Sequence, residues 1–318
     1  MYTSAVVRSG LCALPLRHTH TQPITAFHRK ILRGFLKLSD KSPVPAAYFL
    51  LAEIPIEGRI HLDTFSLFWS VWSNPQSTIY KIIKYLLTTS DNNSRTWSVH
   101  LRHLCRIYSM TDPLQLMEEA PWSKGRWKNY CTTMVTVYHE KQLREAATGN
   151  WKMDLFNVQM SSLRGKPHPI LTGVDTVRQV MKLRPQIKML CGDYLTYGTL
   201  AKQGDGSGHC RLCPGEWEDI RHILTECEAT RVARDNVLPQ LRDVLANVAP
   251  NVDYNDLAKD PKILSQFIVD CTSMNLPNES RINMSNSHMH EIFEITRDLC
   301  YCSHNLRMKA LQTVKQVQ

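Results

Sequence analysis

At 318 residues the chain exceeds one average domain, and its 43% apolar composition is enough for one real core or two. A formal net charge of +9 and a pI near 9.0 suggest a polyanionic partner, most simply nucleic acid, although excess charge alone is weak evidence. Ten cysteines at irregular spacings do not fit a secreted disulfide framework and indicate a reducing compartment, nuclear or cytoplasmic.

The amino end carries Arg8, Arg17, Arg29, Lys30, Arg33 and Lys37 before its first acidic residue, Asp40. That composition fits a mitochondrial transit peptide, and equally a basic surface leading into the first helix. From Ala26 to Leu38 the apolar residues Phe27, Ile31, Phe35 and Leu38 recur at helical spacing with the cations turned outward, which predicts a basic amphipathic helix. Such a helix either lies along a phosphate backbone or simply presents a solvated face. Pro43 and Pro45 break the chain, after which VPAAYFLLAEI reads as a short buried helix. The longest apolar run, Val44 to Ile56, is too short to span a membrane and contains Glu53 and Pro55.

A third helix is expected over 56–72, where Ile60, Phe65, Phe68, Trp69 and Trp72 form a stripe suited to a core. Two more follow near 77–88 and 95–109, separated by the turn-forming Asp91, Asn92 and Asn93. The segment PWSKGRWKNY then brings Trp122, Lys124, Arg126, Trp127 and Lys128 together. Interleaved rings and cations suit single-stranded nucleic acid, since bases stack on the rings while Lys and Arg neutralise phosphates. The plainer reading buries Trp127 and leaves the cations in water.

Helical periodicity continues over 124–147, a shorter helix is expected near 152–163, and 174–197 reads as helical with an interruption at Pro185. The stretch GDGSG at 204–208 reads as a hinge, since no GK[ST] follows it to make a phosphate loop. Beyond the cysteine-rich segment considered next, a polar-faced helix carries Arg231 and Arg234, Asp260-Pro261 opens another, and a last one runs over about 287–311. On that last helix Cys300, Cys302 and His304 fall on different faces, and His288-Met289-His290 lacks the strand that a His-hydrophobe-His nuclease motif requires.

The sharpest chemical pattern is CRLCPGEWEDIRHILTEC, which spaces Cys210, Cys213, His222 and Cys227 as C-x2-C-x8-H-x4-C. Three potential thiolates and one imidazole are the donor set for a tetrahedral Zn2+. His222 and Cys227 are five apart and so not ideal helical neighbours, which predicts Cys227 at a helix end or just past it. His209 is an alternative ligand. A redox dithiol, or two unrelated cysteines beside a core histidine, are the competing readings; no buried strand precedes Cys210 to support the redox one. A zinc-held loop would fix Arg211, Trp217 and Arg221, with Trp217 stacking on a base and the two arginines on phosphate.

Taken in order, FHRKILRGFLKL, AYFLLAEIPIEGRI, PWSKGRWK, CRLC with HILTEC, LSQFIVDCTSMNLP and TRDLCYCSHNLRMKAL resemble the carboxy-terminal part of the polyprotein of non-LTR retrotransposons, from about Phe27 to Leu311. The resemblance implies thumb-side helices of a reverse transcriptase, a helical linker, a CCHC zinc knuckle and a terminal helical segment, acting on element RNA or target DNA. It does not bring the polymerase chemistry, because no Asp-Asp pair occurs in the chain to bind two magnesium ions.

The expected fold class is therefore mainly α, with irregular helical bundles and a small CCHC knuckle inserted between helical segments. The chain divides into 1–72 (basic amino end and thumb-like helices), 73–203 (helical linker), 204–235 (knuckle) and 236–318 (terminal helices). The expected function is non-catalytic nucleic-acid binding, with no membrane and no small-molecule substrate. A zinc-stabilised scaffold or an inert truncated remnant are the alternatives.

Overall fold

The computed structural model describes residues 11–14, 18–90, 94–159, 161–213, 217–248, 254–273 and 286–317. The transit-peptide reading of the extreme amino end and the turn at 91–93 fall wholly or largely outside them. Among the described residues the chain is predominantly helical and forms no strand. The helices are α1 (His18–Phe35), α2 (Val44–Leu51), α3 (Ile56–Trp72), α4 (Thr78–Thr89), α5 (Trp97–Ile107), α6 (Pro113–Leu116), α7 (Lys124–Ala147), α8 (Val177–Leu190), α9 (Tyr197–Lys202), α10 (Arg231–Val248), α11 (Tyr254–Lys259), α12 (Pro261–Val269) and α13 (Asn286–Val317). Their starts follow from local chemistry. Ser77, Thr96 and Thr196 each accept a backbone N–H three residues on, and Asp260 accepts the Lys262 N–H with Pro261 in the first turn.

The described residues group into two compact units, the first within Met1–Leu32, Ala52–Ala146 and Leu163–Gly165, the second within Arg33–Leu51, Ala147–Ser162 and Lys166–Gln318. The first is built on rings. Phe65, Phe68 and Trp72 of α3 pack with Trp127 of α7, ring centroids 5.6–6.4 Å apart, and Leu101, Leu104 and Val135 close the core around them. Each of these indoles satisfies its N–H on a carbonyl, Trp127 on Phe65 at 2.8 Å and Trp72 on Glu119 at 3.3 Å. Trp127 is thus a core residue with 2% of its surface exposed, which corrects its assignment to nucleic-acid contact. A buried ring offers no face to a base.

In the second unit α13 packs along α8, α10 and α12. The buried Gln186 of α8 holds three elements by donating to the carbonyls of Ile268 (3.1 Å) and Val269 (3.3 Å) and to Thr296 Oγ1 (3.1 Å). With Leu183, Ile187 and Leu190 buried on either side of Pro185, tertiary packing carries α8 through the proline where an interruption was expected.

Two other expectations fail locally. The helix expected near 152–163 shrinks to a single turn at Trp151–Met153. Downstream, the Asn157 side chain accepts the Gln159 N–H at 3.1 Å, a turn that competes with helix. In α1 the buried residues include Thr21, Thr25 and Leu32, whereas Phe27, Ile31 and Phe35 are exposed, Phe35 by 73%; of the expected stripe only Leu38, just past the helix, is buried. The period was read correctly and the face was not, because threonines mark the buried side.

Candidate metal centre

The centre lies wholly within the second unit. The chain enters it through Gly208, at φ 78°, where a Cβ would stand 2.3 Å from the Trp217 ring. A Cβ on Gly198 would likewise meet the Trp217 indole nitrogen at 2.6 Å, so the indole lies over the bare backbone of two glycines. His209 pairs with Trp217 in an isolated antiparallel bridge, and the Glu218 N–H donates to the Gly208 carbonyl at 2.9 Å. That pairing closes the loop carrying Cys210 and Cys213. The Leu212 N–H turns back onto Cys210 Sγ at 3.4 Å.

The second half of the ligand set arrives on a helical turn. Asp219 Oδ1 accepts the His222 N–H at 2.7 Å and starts it, and His222–Glu226 then winds as a π-turn, with the Cys227 N–H bonding to the His222 carbonyl at 2.7 Å. In an α-helix, residues five apart point about 140° away from each other. Winding one extra residue into the turn brings His222 and Cys227 back to one side. Cys227 caps that turn, as the five-residue spacing predicted.

The four ligand atoms of Cys210, Cys213, His222 and Cys227 all lie within 4.8 Å of one another. Cys227 Sγ is 3.9 Å from both Cys210 Sγ and Cys213 Sγ, and Cys213 Sγ is 3.1 Å from His222 Nε2. A disulfide needs sulfurs about 2.05 Å apart, so these thiols are free. Sulfurs bonded at about 2.3 Å at the corners of a tetrahedron sit about 3.8 Å apart, which is the separation found here. Cys210, His222 and Cys227 are buried and Cys213 is half-buried. Burial pushes the Cys210 thiol up to about 12 and raises that of Cys213. A bound cation reverses this order by stabilising thiolate directly. Among the described residues these four form a Cys/His cluster that can hold a metal ion.

The imidazole of His222 is 1% exposed, and its Nδ1 has no hydrogen-bond partner; the nearest carboxylate, Glu226, is 3.6 Å away. A short movement would supply the outer partner that a metal-bound histidine ordinarily has. Two buried ions brace the loop from outside. Arg307 of α13 reaches Glu218 with 2.7 Å and 3.4 Å contacts, Glu218 being completely buried. Arg234 of α10 donates to the Cys227 carbonyl and to Thr230 Oγ1 at 2.7 and 2.8 Å. Its neighbour Arg231 stays exposed and pairs with Glu228. Sequence reading missed Glu218, Arg307 and Glu226. Eighty-nine positions separate Glu218 from Arg307, so no local pattern announces the pair; Glu226, one turn after His222, was visible by spacing.

The remaining candidates are scattered. Arg211 is exposed with its guanidinium 4.6 Å from the Tyr197 ring centroid, and Trp217 is 38% exposed. Arg221 stands within 4.0 Å of Asp219 and Glu226, which partly neutralise it. In the first unit Lys124, Arg126 and Lys128 are exposed on α7, with Arg126 over the Trp122 ring and Lys124 over Trp69. His209 pairs with Trp217 through its backbone, and its side chain is not part of the cluster. Cys300 is buried, Cys302 exposed, and His304 bonds Tyr194 at 3.0 Å, so they do not converge. His288-Met289-His290 lies in the first turns of α13, not on a strand. No helix among the described residues is long and apolar enough to cross a membrane. Comparison with known protein families, with curated proteins and with solved structures finds no match to this chain.

Proposed function

We propose that this chain binds single-stranded nucleic acid without catalysing a reaction on it, through a loop held by Zn2+ on Cys210, Cys213, His222 and Cys227. The observation that carries the reading is the convergence of three sulfurs and one imidazole nitrogen within 4.8 Å, on a segment that also exposes Arg211 and half-exposes Trp217. The donor set favours zinc: hard cations such as magnesium and calcium take oxygen ligands, whereas three sulfurs and one imidazole at tetrahedral separations suit Zn2+. In a segment with so little apolar mass, metal binding supplies the folding energy. The net charge of +9 and the cations of α7 support a polyanionic partner. The ordered resemblance to the carboxy-terminal part of non-LTR retrotransposon polyproteins makes element RNA or target DNA the partner.

Metal analysis of protein purified under reducing conditions is expected to return one zinc per chain; protein without bound metal would overturn the reading. Binding of the loaded protein to single-stranded RNA is expected to weaken with salt on a log-log slope of about −3 to −4, the value for four to six neutralised phosphates. Arg211→Ala should flatten that slope by about one. The buried Glu218–Arg307 pair favours one rival, in which the metal only fastens the loop to α13 as a scaffold. That rival predicts a zinc-loaded protein whose binding is indifferent to Arg211.

A further inference from the structure

Beside the metal centre, and wholly within the second unit, lies a cavity of about 310 Å3 whose wall includes Trp151, Trp217, Lys152, Lys202, Arg221 and Lys262. The volume is at the lower end of the range for small-ligand sites, about 300–1,000 Å3, and suits one nucleotide better than a peptide segment. Its composition is specific. Trp151 and Trp217 are 37% and 38% exposed, so neither ring is consumed by the core. Four cations reach the same space from separate stretches of chain: Lys152 from the turn after α7, Lys202 from the end of α9, Arg221 from the metal-binding loop and Lys262 from the first turn of α12.

Lys202 Nζ stands 5.0 Å and Lys152 Nζ 5.6 Å from the Trp151 ring centroid. Lys202 and Lys262 are exposed, and among the described residues neither is held in an ion pair. The carboxylates on the wall are Asp154 and Asp219, and Asp219 is engaged by the His222 N–H. Half-exposed indoles beside exposed ammonium groups are the pairing that recognises a base joined to a phosphate, because every base has a π-face and every nucleotide a negative charge.

We infer that this cavity takes one nucleotide of a bound single strand, its base against Trp151 and Trp217 and its phosphates on Lys202 and Lys262. The inference rests on the nucleic-acid reading and adds a base subsite to it, and it brings in Trp151, a residue outside the metal-binding loop. The loop then has two roles, since the segment that holds the metal also delivers Trp217 to the cavity.

The test uses the full, metal-loaded chain and a short single-stranded RNA. Trp151→Ala is expected to weaken binding about 5- to 150-fold, the range for one stacked base, with zinc content unchanged. Lys202→Ala and Lys262→Ala, both at exposed positions, should each flatten the salt slope by about one. Removing one base from the RNA should cost the wild-type protein the same factor and the Trp151→Ala protein nothing further. A strand carrying 5-iodouridine should crosslink to Trp151 or Trp217 in the unaltered protein, a readout that needs no variant to fold.

Unchanged binding by Trp151→Ala, with Arg211→Ala still weakened, would overturn the subsite and leave the nucleic-acid reading standing. No strand binding by any form would overturn both. Adenosine monophosphate bound in a Trp151-dependent way by a protein that binds no strand would make the ligand a free nucleotide and overturn the strand assignment.

Discussion

Tryptophan and cysteine serve opposite ends in the ring cluster of the first unit and in the metal-binding loop of the second. In the first, Trp72 and Trp127 disappear into a ring cluster, and Cys105 and Cys131 are small buried hydrophobes whose thiols burial pushes up, that of Cys105 to about 12. In the second, Trp217 stays half-exposed over two glycines, and three cysteines converge on a histidine. The ring cluster needs no ion, because each fully buried large side chain contributes about 1.5–3 kcal/mol by leaving water. The loop around Cys210 has no comparable apolar mass and holds its shape with polar devices: an isolated bridge, a buried ion pair and a ligand cluster. Residue type alone does not assign a role; what decides it is whether the local chain can build a core.

The largest effect that separates the two regions is Cys210→Ser. Apparent binding energies of structural zinc in finger peptides are about 10–16 kcal/mol, far more than the loop can recover elsewhere. Metal content should fall to none and amide protection should vanish across 208–213 and 217–230, while α3 and α7 exchange as before. A loop that stays protected without metal would end the distinction.

Next come two variants of similar size that act on different regions. Trp127→Ala removes a core indole at about 3–5 kcal/mol and should leave both zinc and the affinity of the folded protein unchanged. Glu218→Gln strips the partner from a buried Arg307 and should also cost about 3–5 kcal/mol, felt around the metal centre instead. Urea titration combined with hydrogen exchange reads both, and if either variant weakened both regions equally, the two would not be separate devices.

Most helices were legible because capping chemistry and periodicity agree. Asp260 announces α12, the periods near 77–88 and 95–109 locate α4 and α5, which Ser77 and Thr96 cap, and the aromatic stripe of α3 is a core face by spacing alone. The four ligands were legible because loop-borne metal ligands keep fixed spacings. What was not legible depends on partners far away in the sequence. The buried face of α1 is marked by threonines, one of which bonds Glu57 at 2.8 Å, and hydropathy gives no weight to that. The π-turn that reconciles a five-residue gap is set by ligand convergence and has no composition signal. The cation–π partner of Arg211, Tyr197, and the brace on Glu218 likewise come from other helices.

The last of these effects is set by pH, concerns the first unit, and is read as the small change that one histidine variant makes to it. His61 Nδ1 lies 2.7 Å from the Tyr108 hydroxyl, which in turn lies 3.2 Å from His139 Nε2. With both imidazoles neutral, the hydroxyl donates to one ring and accepts from the other. Protonating both rings would face it with two donors and leave its own proton without an acceptor. Burial, and secondarily the neighbouring histidines, lowers His61 to about 3; burial lowers His139 to about 4 against the opposing pull of Glu57. In the unfolded chain both titrate near 6.5. Above that pH both states are neutral and nothing is gained. As pH falls below it the unfolded chain takes up protons that the folded core refuses, so stability declines from about pH 6.5 toward pH 4, by about 2 kcal/mol per such histidine at pH 5. Urea midpoints followed by tryptophan fluorescence at pH 7 and pH 5 measure this. His139→Gln should reduce the difference by about a third, because the glutamine carries no proton to refuse while His61 and the neighbouring His100, which burial lowers to about 4, still do. An equal loss in wild type and variant would place the acid sensitivity elsewhere, in histidines such as His28 and His304, which burial also lowers, or in metal release in the second unit.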